Sequence, residues 1–266
     1  MLPAFLSTPF SYKSLIINMI KRDITERYRG SFLGILWSLI TPILLLTIYT
    51  FVFSFVFKAR WGQEQSNQYE FAVVLFAGLI IYNLFAECLG RAPQLILNNV
   101  NYVKKVVFPL EILPWVSLGA ALFHAFTSLC ILLLFLPFTG HTLSITCLWL
   151  PVIIMPFLLL IIGVSWFLAA TGVFMRDINQ LMNMLLTMLM FMSPIFYPLS
   201  ALPEQLQGLL YLNPITLIVE QVRAVLIWGV PPDGSALMIY SAVAIILYAL
   251  GGLWFQKTRK GFADVL

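Results

Sequence analysis

The chain has 266 residues, of which 61% are hydrophobic and only 10% charged, and its mean hydropathy is +0.95. Soluble globular chains carry about 25% charged residues, so this composition excludes a soluble domain and places the chain in a lipid bilayer. The net charge of +4 says less by its sign than by where the basic residues fall.

Residues 11–29 set Ile16, Ile20, Ile24 and Tyr28 at i+4 spacing with Lys21, Arg22, Asp23, Glu26 and Arg27 between them. The pattern predicts an amphipathic helix on the inner membrane face. Two roles stay open for it, anchoring to anionic lipid and contacting a partner. No basic n-region or long apolar core occupies the first ten residues, so no cleaved signal peptide is expected.

Beyond Arg29, four runs carry no Asp, Glu, Lys or Arg: 30–57, 112–175, 178–203 and 234–256. A helix crosses the hydrocarbon with roughly 20 apolar residues, so 112–175 is long enough for two passes. Spans are predicted at about 33–57, 71–90, 111–136, 148–174, 179–197 and 236–256. With the N-terminus inside, only Lys58, Arg60 and Arg223 of the fifteen Lys and Arg fall outside. The fold class expected is therefore an all-α integral membrane domain over 1–266, with six transmembrane helices and both termini in the cytoplasm.

Span 1 ends on Tyr49, Phe51, Phe53, Phe55 and Phe57. Alternation of this kind is a strand signal, but the uncharged run back to Gly30 makes it a helix end. On a helix, Tyr49, Phe53 and Phe57 share one face. Both an interfacial aromatic belt and a passage in which flat rings meet sugar CH faces fit that pattern. Residues 58–70 read as a polar outer loop and 137–147 as a short outer turn.

The longest inner loop is 91–109, with a short helix predicted from Leu95 to Val107 carrying Lys104 and Lys105 before Pro109. His124 falls inside span 3, where bonding to a neighbouring helix is its expected role, and His141 lies in the following turn. Span 5 holds five of the ten methionines, which suit either core filling or an interface that repacks. Residues 198–222 are too Pro-broken to span and too rich in Leu for a solvated loop. They are expected as short re-entrant helices at the outer face.

No GxxxxGK[ST], HExxH, GxSxG or paired-carboxylate pattern is present, so no catalytic residue is assigned. Cys88, Cys130 and Cys147 lack CxxC spacing, which leaves neither a disulfide framework nor a metal site expected. No span carries the buried Asp–Arg–Glu series of a proton-coupled carrier. Energy for uphill transport must then come from another chain.

The stretch KRDITERYRGSFLGILWSLITP (21–42) resembles the opening of ABC-2 type permeases of polysaccharide exporters, which serve O-antigen, capsule and teichoic-acid chains. Arg176-Asp177-Ile178, Met192-Ser193-Pro194-Ile195-Phe196-Tyr197 and Asn213-Pro214 extend the likeness in order along nearly the whole chain. The resemblance implies a homodimer with two separate ATP-binding subunits, exporting a lipid-linked polysaccharide across a bacterial inner membrane. ATP and Mg would then sit on the partner, no cofactor on this chain, and nucleic acid is not among the partners expected.

The resemblance further implies that 91–109 is the coupling loop, through Asn98, Asn99, Tyr102, Lys104 and Lys105. Spans 1 and 5 would line the passage with Trp37, Tyr49, Phe53, Phe57, Met188, Phe191, Phe196 and Tyr197. Arg27, Tyr28 and Arg29 would form an inner-surface headgroup or gate site, although simple anchoring to membrane lipid explains the two arginines equally well. Gly30 and Gly34 are expected as a small-xxx-small contact at the start of span 1. The alternatives are a permease of the same fold for a drug or small lipid, a membrane-embedded transferase, and a structural assembly subunit.

Overall fold

The computed structural model describes residues 4–57, 61, 69–104, 108–140 and 144–266. Lys105, His141, and most of the outer loop that holds Lys58 and Arg60 lie outside the described residues. The regular structure among those described is helical throughout. Helices α1 (Ala4–Ser11) and α2 (Lys13–Tyr28) precede α3 (Trp37–Tyr49), and α4 (Glu70–Arg91) is followed by the short α5 (Val100–Lys104). Then come α6 (Leu113–Phe135), α7 (Leu150–Phe174), α8 (Ile178–Met192), α9 (Glu204–Leu210), α10 (Thr216–Leu226), α11 (Gly234–Thr258) and α12 (Phe262–Val265).

Five segments are long and apolar enough to cross a membrane among the described residues: Gly34–Val56, Glu70–Gln94, Leu110–Thr139, Ile145–Phe174 and Gly234–Val265. They coincide with predicted spans 1 to 4 and 6. Span 5, predicted over 179–197, is shorter in the structure. Helix α8 has 15 residues, about 22 Å at roughly 1.5 Å per residue against about 30 Å of hydrocarbon. Its stop is local. Ser193 Oγ donates back to the Leu189 carbonyl at 2.6 Å, and Ser193 sits at extended φ −91°, ψ 150°, the conformation that a following proline favours.

Helix α2 forms where the amphipathic helix is expected, and part of its apolar face packs on α6: Ile16 and Met19 are buried, and Ile20 fills the space beside Gly119. Gly30 and Gly34 have φ of 82° and 53°, with nothing within 4 Å of a Cβ added at either. They are turns that redirect the chain from α2 into α3, a left-handed backbone that glycine adopts without a side-chain penalty, and not a packing pair. Of the short helix expected over 95–107, the described residues form a turn at Leu97–Asn99 followed by α5, and residues 105–107 lie outside the described ones. The Asn99 side chain donates to the Leu95 carbonyl at 2.8 Å, which competes with a continuous helix ladder.

The aromatic end of span 1 is a π-helix, Thr50–Val56, in which the Phe57 N–H reaches the Val52 carbonyl at 2.9 Å. Helix α4 is the hub. It is buried along most of its length and packs against α3, α6, α7, α8 and α10. Helices α7 and α11 meet backbone to backbone at Gly163 and Gly251.

Candidate functional site

A cavity of about 860 Å³, lined by charged and apolar side chains together, opens between α2, α3, α4, α6 and α8. At its rim, α2 is clasped to the spans by side chains that lie far apart in sequence. Arg91 of α4 donates to both carboxylate oxygens of Asp23 at 2.8 and 2.9 Å, and Arg27 pairs with Glu87. The Tyr28 hydroxyl lies 3.2 Å from His124 Nδ1 on α6. Burial raises the Tyr28 pKa, so the phenol keeps its proton and can donate to Nδ1. The direction of that bond follows the imidazole tautomer, and the other ring nitrogen, Nε2, is buried without a hydrogen-bond partner among the described residues. His124 thus bonds a neighbouring helix, and that helix is α2.

Arg22 extends the clasp to the loop after α4. Its Nη1 donates to the Tyr102 hydroxyl at 3.2 Å, and the Tyr102 ring stacks on Phe108 with centroids 4.3 Å apart. That hydrogen bond is the main cause of the raised Arg22 pKa, which keeps the guanidinium fully charged. Arg259 closes the same segment from the other side, donating to Glu111 at 2.5 Å and to the Phe108 carbonyl at 3.1 Å.

The pairing across α2 and α4 predicts an outcome. Arg27→Glu or Glu87→Arg alone should lower the melting temperature of the purified protein by about 2–4 °C, and the double reversal should restore it. A double variant as unstable as the two losses combined would remove this pair from the clasp.

At the opposite end, a single guanidinium gathers three elements. Arg223 of α10 is fully buried. Its Nε donates to the Val74 carbonyl of α4 at 3.0 Å, Nη1 to Pro194 O at 2.5 Å and Glu220 at 3.0 Å, and Nη2 to Ile195 O at 3.1 Å. The Trp61 ring covers it at 4.6 Å. Burial pulls its pKa down to about 10 against the pull of Glu220, which leaves it cationic at neutral pH. Beside it, Asn213 Nδ2 donates to Ser193 Oγ at 2.9 Å, while Asn213 Oδ1 accepts from the Ile215 N–H at 3.0 Å. The Ser193-Pro194-Ile195 and Asn213-Pro214 motifs are therefore one joint. Reading the sequence placed Arg223 among the three outer cations and missed this. Its signal was a lone arginine in the apolar stripe of α10, with Glu220 one helical turn before it.

Of the residues expected to line a passage, Trp37 is exposed at the cavity, and Met188 and Phe191 are exposed on α8. Phe57 is exposed too, but Tyr49 is half-buried and Phe53 stacks on Phe71 of α4 with centroids 5.0 Å apart. Phe196 stacks on Phe191 at 5.8 Å, and the Tyr197 hydroxyl donates to the Phe191 carbonyl at 3.2 Å. Gln180, Asn183 and Thr187 form an exposed polar stripe along the same side of α8. In the loop after α4, Asn98 and Lys104 are exposed while Asn99 and Tyr102 are half-buried. Arg27 and Tyr28 turn toward the cavity and are engaged there, and Arg29 is exposed at the end of α2.

Several relatives align with the chain over nearly its whole length. It is 28% identical over 257 residues to the O-antigen export system permease protein RfbA of Myxococcus xanthus, covering 96% of each chain. It is 25% identical over 253 residues to the protein of the same name from Klebsiella pneumoniae, covering 95% of each. To the polysialic acid transport protein KpsM of Escherichia coli it is 26% identical over 244 residues, covering 90% of this chain and 91% of the other. Residues 14–227, which run from α2 through α10 and so include both the cavity and the Arg223 joint, match the family described as ABC-2 type transporter. This multi-pass membrane protein belongs to the ABC-2 type transporter family.

Proposed function

We propose that the chain is the transmembrane, non-enzymatic subunit of an ATP-driven exporter that moves a lipid-linked polysaccharide across a bacterial inner membrane. The observation that carries the mechanism is the polar stripe of Gln180, Asn183 and Thr187 on the exposed side of α8. Amide and hydroxyl groups at membrane depth are costly against lipid, and are tolerated where they meet protein or line a wet cavity. Two copies with their α8 and α3 faces turned toward each other would give that stripe a shared, water-filled passage, with Trp37, Phe57, Met188 and Phe191 beside it.

In this reading α8 and the irregular Ser193–Tyr197 segment together make the sixth crossing. Two carbonyls of that segment, Pro194 and Ile195, accept from Arg223 rather than from helix N–H groups. Both termini are cytoplasmic, and α9 and α10 form the outer exit. ATP and Mg act on two partner subunits that press on the segment around Asn98, Asn99, Tyr102, Lys104 and Lys105. Exposed Arg29 is left to meet lipid phosphates at the inner surface.

Support comes from the family and from relatives named for O-antigen export and polysialic acid transport. The test is loss of the gene: polymer should accumulate inside the cell, and the tagged chain should co-purify in mild detergent with an equal amount of an ATP-binding subunit. Unaltered surface polymer in the null strain would overturn the reading. Charge reversal at Lys104 together with Lys105 should abolish export and stimulated ATP hydrolysis at unchanged protein level, measured in proteoliposomes. Full activity of that variant would remove the coupling assignment.

A further inference from the structure

We propose that the cavity between α2, α3, α4, α6 and α8 is a sugar-binding site within a single protomer, which takes neutral sugar units of the glycan before they reach the shared passage. This rests on the exporter reading above. A volume of about 860 Å³ falls within the roughly 300–1,000 Å³ of small-molecule sites.

Charge decides the class of ligand. Three carboxylates, Asp23, Glu26 and Glu87, line the cavity against two guanidiniums, Arg27 and Arg91. Both guanidiniums are already held by those carboxylates. The third carboxylate, Glu26, faces Arg22 at 3.6 Å, so a pyrophosphate entering here would meet no unpaired cation to repay its desolvation, whereas a neutral polyol carries no such cost. The arginine expected to bind a phosphate headgroup at this rim, Arg27, is thus occupied.

The deeper wall has what hydroxyl groups need. Asn83 of α4 lines the cavity, Asn183 of α8 is shared between it and the proposed passage, and neither side-chain amide is bonded to another described group. Asn83 stands two helical turns deeper in the membrane than Arg91. His124 Nε2 is a buried imidazole nitrogen with no partner among the described residues, on the same wall. Unpaired polar groups at this depth are expensive unless water or a ligand satisfies them. The exposed Trp37 ring supplies a flat apolar face beside them. Donors and acceptors around an aromatic plate, with no net positive charge, fit a sugar better than a lipid phosphate.

The test uses Ala86→Cys, a small change on the cavity wall, in a chain whose three native cysteines are replaced by alanine. Maleimide labelling is followed in cells making the complete glycan, cells arrested at the carrier pyrophosphate with its first sugar, and cells making neither. We expect labelling to slow several-fold only where the complete glycan is made, and adding Asn83→Leu to abolish that protection. Equal protection in the arrested cells would assign the cavity to the anchor's phosphates, and absence of protection would mean no ligand binds there. Either result overturns the proposal, as does protection that survives Asn83→Leu. If the Ala86→Cys change is not tolerated, Ala125→Cys on α6 reports from the opposite wall. Export by the unaltered chain is scored in the same cells. Its failure would sink the exporter reading, whereas normal export with an unprotected cysteine would sink the sugar site alone.

Discussion

Replacing Arg223 by alanine is expected to remove most of the folded permease. Four acceptors, Val74 O, Pro194 O, Ile195 O and Glu220, converge on one guanidinium that is wholly shielded from solvent. Without it, three carbonyls and a carboxylate lose their donors in a place that water reaches poorly. Breaking a buried charged pair of this kind costs about 3–5 kcal/mol, a large share of a total stability of about 5–15 kcal/mol. Lysine should rescue only in part, because a single ammonium cannot span acceptors on three elements as a planar fork does. Glu220→Gln should cost less than the alanine change, since a neutral amide can still accept from Nη1 and the glutamate is partly exposed. The measurement is the fraction of monodisperse protein surviving a temperature ramp in detergent. An alanine variant that melts like the parent would show that the three elements hold together without this residue.

The helices were legible because uncharged runs end at charges. Predicted spans at 71–90, 148–174 and 236–256 correspond to α4, α7 and α11 within a few residues, each bounded by Glu70 and Arg91, Arg176, or Asp233 and Lys257. What stayed hidden were partnerships across distance. Arg223 and Val74 are 149 positions apart, and Tyr28 and His124 are 96 apart. Hydropathy reads each helix alone, so it marked Arg223 as an outer cation and ran span 5 straight through Ser193-Pro194. The family motifs were visible as an ordered set, but their joining at Ser193 and Asn213 was not. The cavity could not be read at all, because its walls come from five elements. The glycine pair failed for a different reason: spacing alone does not distinguish a close contact from two left-handed turns, and only the backbone angle does.

Glycines that are true contacts should separate folding from coupling. A Cβ on Gly251 would stand 1.9 Å from the Gly163 carbonyl oxygen, and one on Gly163 would stand 2.5 Å from that of Leu247. Both neighbours are helix backbone with nothing flexible to yield, so a side chain must drive α7 and α11 apart. Gly251→Leu is expected to lose folded protein outright, since overpacking costs about 1–3 kcal/mol even where side chains can adjust. Gly172 differs. Its added Cβ would meet the Pro93 carbonyl at 2.1 Å, and Pro93 belongs to the turn that opens the segment before α5. That turn continues α4 directly and its Ala92 and Pro93 are buried against α7, so it yields only by sliding on α7.

Its far end cannot follow, because Phe108 and Glu111 are tied to Arg259, and the Glu111 carbonyl accepts from Trp166 at 3.0 Å. Displacement at Pro93 must therefore be taken up between 94 and 104, the stretch on which the ATPase is proposed to press. Gly172→Ala should lower folded yield less than Gly251→Leu does, and export per ATP hydrolysed by the protein that folds should fall several-fold, measured side by side in proteoliposomes. Loss of folded protein as severe as in Gly251→Leu would mean that this turn belongs to the core. Parental export per ATP would mean that the position of the loop is not what couples hydrolysis to movement.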